Sequence, residues 1–190
     1  MKLLSNVAFW KEFYQEFVNE CKELYNHNGF TYDIPSEEQI RSALYAFLRK
    51  KGYLVELESD LFRKDSKRVV GEYDLRVINK EYDLIVEVKR AWGLKNWSNK
   101  YKEFSDSWEE DISKLDKLEK DEYESEKIND NRKKCFVLAI FTNREDFHNK
   151  LKNKVDEFSS KLKGLELISN FEREILKGEL TCNLFVWVEK

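Results

Sequence analysis

Seven consecutive residues, Cys135-Phe136-Val137-Leu138-Ala139-Ile140-Phe141, are apolar without a break. A strand with one wet face alternates apolar and polar residues, so an unbroken run of this kind predicts a central strand covered on both faces. Two covered faces require packed layers on either side of a sheet, and the expectation is an α/β domain with a central sheet flanked by helices.

The rest of the chain supplies strands for that sheet and helices for those layers. From Val7 to Tyr25, the residues Trp10, Phe13, Tyr14, Phe17, Cys21 and Leu24 recur at three- and four-residue steps. This is the stripe of an amphipathic helix, which must pack on the core of the domain or, alternatively, on a partner. Turn-forming residues occupy Asn26 to Pro35. Ser36 with Gln39 is a capping box that opens a second helix, burying Ile40, Leu44, Phe47 and Leu48 and ending near Gly52. Tyr53 to Leu57 alternates as a first strand, and Glu72 to Ile78 and Asp83 to Val88 read as a second and third, joined through Asn79-Lys80 as a hairpin.

An aromatic and basic loop, Trp92 to Tyr101, then leads into a helix capped by Ser107 with Glu110 and buried through Trp108, Ile112, Leu115 and Leu118. The almost wholly polar segment Asp121 to Lys134 is predicted to be a solvated helix end or loop, and mobile. After the apolar strand come a helix with Phe147, Leu151, Val155, Phe158 and Leu162, a shorter helix over about Leu165 to Leu176, and a last strand at Leu184 to Val188. The predicted organisation is one domain over 1–190, with 1–34 an N-terminal helical extension, 36–141 the core, and 142–190 the C-terminal helices and last strand.

Composition narrows the function classes. With 41% hydrophobic and 37% charged residues, the chain is expected to fold rather than to be disordered. No apolar run approaches the roughly 20 residues that cross a bilayer, and Met1-Lys2-Leu3-Leu4-Ser5 turns polar and aromatic too soon for a signal peptide, so a cytoplasmic protein without a membrane partner is expected. Cys21, Cys135 and Cys182 are dispersed and odd in number, which predicts buried thiols rather than disulfides or zinc ligands. His27 and His148 stand alone, and zinc or histidine-based hydrolysis is poorly supplied. The net charge of −3 does not advertise a polyanion binder. Arg49-Lys50-Lys51, Arg63-Lys64 with Lys67-Arg68, and the stretch from Lys89 to Lys102 are nevertheless basic islands, serving as solvated faces or as phosphate contacts.

An acid two residues before a lysine occurs three times: Glu20-Cys21-Lys22, Asp65-Ser66-Lys67 and Glu87-Val88-Lys89. The first falls on a helix, where such positions diverge, and the second in a polar turn. Only the third falls in a strand, whose period of two aims Glu87 and Lys89 at one face. Pairing across the hairpin puts Asp74 on that same face, opposite Ile85 if the loop is Asn79-Lys80 and opposite Glu87 if it is Asn79 to Tyr82. Carboxylates that close raise each other's pKa, and a divalent cation beside a lysine is a natural answer. Hard oxygen donors select Mg²⁺ or Mn²⁺, and an ion held by a few carboxylates keeps open positions for water and a phosphate oxygen. The alternative is an ion-pair ladder on an exposed hairpin.

A helical glutamate, an aspartate in one hairpin strand and Glu-x-Lys in the next together resemble the PD-(D/E)XK superfamily of restriction-endonuclease-like and Holliday-junction-resolvase-like nucleases. The likeness covers about Ser36 to Leu118, with Cys135 to Phe141 fitting the next core element. It implies a restriction-endonuclease-like αβββαβ core with a mixed sheet, dependence on a divalent metal, and cleavage of a DNA backbone. Asp74 matches the family's aspartate, Glu87 its second acid and Lys89 its lysine; Tyr73 stands where the family often has proline. Of the adjacent Glu37 and Glu38, Glu37 lies on the buried stripe and is chosen as the helical acid, so that Asp74, Glu87 and Glu37 would hold the metal. Asp111 and Lys114 are either site-facing or a surface pair. Trp92, Trp97 and Tyr101, interleaved with Arg90, Lys95 and Lys100, are either nucleic-acid contacts or core. The expected partner is DNA, and cutting both strands would favour a homodimer. A silent binding or assembly module, or an RNA-directed nuclease or toxin, is the alternative.

Overall fold

A computed structural model of the chain describes residues 6–28, 34–63, 69–78, 83–93, 108, 110–111, 113, 123–124, 132–142, 153, 155–162, 164–176 and 180–189. It is a mixed α/β structure. The helices α1 (Val7–Asn28) and α2 (Glu37–Lys50) precede strands β1 (Leu54–Arg63), β2 (Val69–Ile78), β3 (Asp83–Gly93), β4 (Tyr123–Glu124), β5 (Arg132–Thr142), β6 (Leu165–Leu176) and β7 (Leu180–Glu189). The strands form one sheet in the order β4-β1-β2-β3-β5-β7-β6. β1, β2 and β3 are an antiparallel meander, β3 and β5 are parallel, and β7 runs antiparallel to both β5 and β6.

The apolar run lies in β5, between neighbours on both sides and cores on both faces. Cys135, Val137, Ala139 and Phe141 enter one core with α1 and α2, while Phe136, Leu138 and Ile140 enter a second. The first core receives Trp10, Phe13, Phe17 and Cys21 from α1 and Ile40, Leu44 and Phe47 from α2. α1 is therefore built into the sheet's packing, and Tyr14 Oη donates to the Cys182 carbonyl at 2.6 Å. The second core is closed by Trp108 and by Val155, Phe158 and Leu162, with Trp187 Nε1 donating to Ser159 Oγ at 2.9 Å. The three cysteines are buried free thiols, and burial pushes Cys21 up to about 12.

Local chemistry fixes both ends of α2. At its start Gln39 N donates to Ser36 Oγ at 3.1 Å and Ser36 N to Gln39 Oε1 at 2.7 Å, the reciprocal capping box. At its end Gly52 takes a left-handed φ of 86°, which lets its amide reach Arg49 O and the Tyr53 amide reach Leu48 O. The turn launches β1.

Three expectations need correction, and one open choice is decided. Leu165–Leu176 is the edge strand β6, not a helix. Its ladder with β7 is irregular between Leu167 and Ser169 and between Glu174 and Leu176. These bulges set Ile168, Phe171 and Ile175, spaced three and four apart, against the first core and so imitate a helical stripe. The polar stretch Asp121 to Lys134 contributes Tyr123–Glu124 as β4 and the beginning of β5, whose ladder with β3 starts at Asp83↔Arg132. α1 continues to Asn28, β1 to Arg63 and β3 to Gly93, so the expected loops begin later. The hairpin, whose register was open between two connections, pairs Ile78 with Asp83 and so takes the longer of them, residues 79–82. A buried ion pair accompanies that register: Arg76 Nη2 donates to Asp83 Oδ2 at 2.6 Å, while Nη1 reaches Glu56 Oε2 at 3.1 Å. The expected contributions of Ile112, Leu115, Leu118, Phe147 and Leu151 lie outside the described residues, as do Lys64, Lys67, Arg68 and residues 94–101.

Trp10 is 1% exposed and packs edge-on against Phe9 and Phe13. Trp10→Ala is expected to cost about 3–5 kcal/mol, the usual range for deleting a buried tryptophan, measured as a shift in urea unfolding. A helix that merely rests on the domain would lose far less.

Candidate active site

The sheet forks between β2 and β3. Their ladder runs from Ile78↔Asp83 to Leu75↔Val86. Beyond it β2 stays with β1 as far as Val69, and β3 stays with β5 as far as Gly93. Residues two apart on a strand share a face, yet Tyr73 lies in the second core while Leu75 and Val77 lie in the first, so β2 turns as it passes Asp74. One step beyond the last pair of that ladder, the register sets Asp74 against Glu87. Instead of a further backbone rung, the Asp74 carboxylate accepts the Val88 amide on Oδ2 at 2.7 Å.

Three layers meet at this fork. On β3, Val86 and Val88 belong to the first core and Ile85 and Ala91 to the second, so alternation points Glu87 and Lys89 toward the second. From the first layer, α2 reaches across: Arg41 Nη1 donates to Asp74 Oδ1 at 3.1 Å, and Lys89 Nζ donates to Glu37 Oε1 at 3.0 Å. From the second layer, Asp111 Oδ2 lies 3.1 Å from Lys89 Nζ. Glu38, the neighbour of Glu37, turns the other way and lines an apolar groove between α1 and α2 with Phe13 and Phe17. The structure thus gathers Asp74, Glu87, Lys89 and Glu37 in one place, with Glu37 set against the lysine and the Asp74–Glu87 pair beside it.

Burial makes the charges interdependent. Glu87 is 3% exposed and pairs with Phe136 on β5. Its pKa is raised well above the ordinary carboxyl value, first by burial and then by Asp74 and Asp111, with Lys89 pulling the other way. Hydrogen bonding of the Glu87 carboxyl to Asp74 adds to the rise. For Lys89, burial alone would lower the pKa, but Glu37, Asp111, Asp74 and Glu87 outweigh it and the net shift is upward. Lys89 is therefore held as an ammonium.

One site residue escaped the sequence reading and another was left open. Arg41 carried a detectable signal, since it stands one turn beyond Glu37 on the same helix face. Asp111 was left open there, and only the fold brings it to Lys89. The basic island Arg49-Lys50-Lys51 is turned to structural use: Lys50 Nζ holds Glu16 at 2.9 Å, Lys51 pairs with Glu12, and Arg49 Nη1 donates to the Tyr53 carbonyl.

The donors at the fork are hard oxygens, with no cysteine or histidine among the named contacts. Asp74 and Glu87 side by side fit one side of a hard divalent ion that fills its other positions with water. They do not form a closed cage. Among the described residues no group of three His, Cys, Asp or Glu side chains stands arranged as a metal site.

The raised pKa of Glu87 has a definite sign in stability. Below its unfolded value the acid is protonated in both states; above it, the folded protein resists ionisation and loses stability until the folded pKa is passed. In metal-free buffer Glu87→Gln is therefore expected to melt at a higher temperature than the parent near pH 8 and with it near pH 4, measured by thermal unfolding across pH. A difference independent of pH would mean that Glu87 is not a strained acid.

Among the described residues no helix is long and apolar enough to cross a membrane. Set against protein-family models, curated proteins and solved structures, the chain finds no match.

Proposed function

We propose that this chain is a divalent-metal-dependent phosphodiesterase that cuts DNA, built on a restriction-endonuclease-like core of the PD-(D/E)XK kind. The observation that carries the reading is the meeting of Asp74, Glu87 and Lys89 where the β2–β3 ladder ends. The element order agrees with it: α2, β1, β2, β3, the helical residues around Asp111, then β5 parallel to β3.

Asp74 and Glu87 would hold Mg²⁺ or Mn²⁺, with Glu37 able to join them by leaving Lys89. Such an ion, when bound, polarises a phosphate and lowers the pKa of a coordinated water. The protein's own residues do the rest. Lys89 is fixed from two sides as a cation, so it stabilises negative charge developing on the phosphorus oxygens and orients the attacking water as a donor. The fork removes backbone rungs from one end of the hairpin, leaving side chains to face the substrate there. Hydrolysis of DNA fits a protein acting in the cytoplasm in restriction, phage defence, mobile-element movement or repair.

Purified protein with supercoiled plasmid and Mg²⁺ or Mn²⁺ should produce nicked circles, with none in chelator. Lys89→Ala should slow nicking by about 10²–10³-fold, the usual loss when one donor to a developing charge is removed. A parallel assay on single- and double-stranded RNA tests the RNA-directed alternative. Absence of cleavage on every substrate with both metals would overturn the enzyme and favour a binding module.

A further inference from the structure

Both oxygens of Asp74 already have donors. Oδ2 accepts the Val88 amide at 2.7 Å and Oδ1 accepts Arg41 Nη1 at 3.1 Å. The two bonds differ in kind. The Val88 amide belongs to strand backbone and moves only if the sheet moves. The Arg41 guanidinium sits at the tip of a long side chain, and its side chain is 18% exposed. A cation that approaches the Asp74–Glu87 pair therefore meets one oxygen fixed by the backbone and one held by a movable positive charge.

We infer that Arg41 is the resident counter-cation of this site: it pairs with Asp74 in the metal-free protein, yields Oδ1 to a divalent ion, and then grips the phosphate of the substrate. The inference rests on the nuclease reading and adds a substrate-binding residue to it. Two cations on one carboxylate oxygen repel, so metal and guanidinium compete for Oδ1. The displaced group remains on the site-facing side of α2, because Arg41 stands four residues beyond Glu37, itself turned to Lys89. Glu37 is 41% exposed at its side chain, which marks the solvent side from which a phosphodiester would enter. A guanidinium presents planar paired donors that match phosphate oxygens, which suits it to this second task.

The test uses the full chain and three variants, Arg41→Gln, Arg41→Lys and Asp74→Asn. Titration calorimetry with Mn²⁺ alone should show Arg41→Gln binding tighter than the parent by on the order of 5-fold or more, the low end of coupling between competing ligands. Arg41→Lys should lie between them, and Asp74→Asn should lose the site. Binding of a DNA duplex in Mn²⁺, measured in a Lys89→Ala background in which cleavage is slowed, should lose about one unit of salt slope when Arg41→Gln is added. Mn²⁺ affinity that is unchanged or weaker in Arg41→Gln would overturn the competition and make Arg41 an organiser of Asp74. An unchanged salt slope would overturn the phosphate contact. A parent protein that binds Mn²⁺ and cuts DNA while Arg41→Gln behaves like it sinks this inference alone; a parent that does neither sinks the nuclease reading as well.

Discussion

Two acidic side chains brought together across adjacent strands, one of them almost sealed from solvent, set the terms for everything around them. Water cannot solvate the Glu87 carboxylate, and Asp74 adds its own repulsion. The protein meets this with a guanidinium, an ammonium and a backbone amide, each from a different position in the fold. An ordinary hairpin would put residues at 74 and 87 that tolerate each other without help. This one does not, and the fold devotes Arg41, Lys89 and the Val88 amide to the consequence.

The layered architecture explains how so many groups converge. A sheet with one core on each face separates what lies above from what lies below, and side chains of opposite layers do not normally meet. Where β2 and β3 part, that separation lapses. α2, rooted in the first core by Ile40, Leu44 and Phe47, extends Glu37 and Arg41 to strand residues, while Asp111 arrives from beside Trp108 in the second. The capping box at Ser36 matters here, since it fixes where the helix begins and hence where its first-turn glutamate stands.

Much of this was legible in the residues, and the failures have physical causes. The unbroken apolar run of β5, the capping box of α2 and the shared face of Glu87 and Lys89 are local consequences of periodicity, and the structure contains each of them. The hairpin register was open between two choices because a loop's length is not written in strand periodicity; the buried Arg76–Asp83 pair goes with the longer connection. β6 misled because a bulge converts a period of two into apparent steps of three and four. The start of β5 was hidden in a lysine-rich stretch, for pairing with β3 rather than apolar content extends the strand to Arg132. Arg41 was missed and Asp111 was left open between a site-facing and a surface role because their partners, Asp74 and Lys89, are distant in sequence and only the fold brings them together.

The irregular edge strand has an implication for how copies of this molecule meet. β6 offers a long outer rim, but two dislocations break its hydrogen-bonding rhythm, and Glu172, Arg173 and Glu174 project charge near one end. A rim so interrupted is a poor template for a foreign strand, which needs evenly spaced donors and acceptors to add itself. Continuous growth from that border into larger sheets is thereby discouraged, and the molecule's boundary is enforced by the same kinks that obscured it in the sequence.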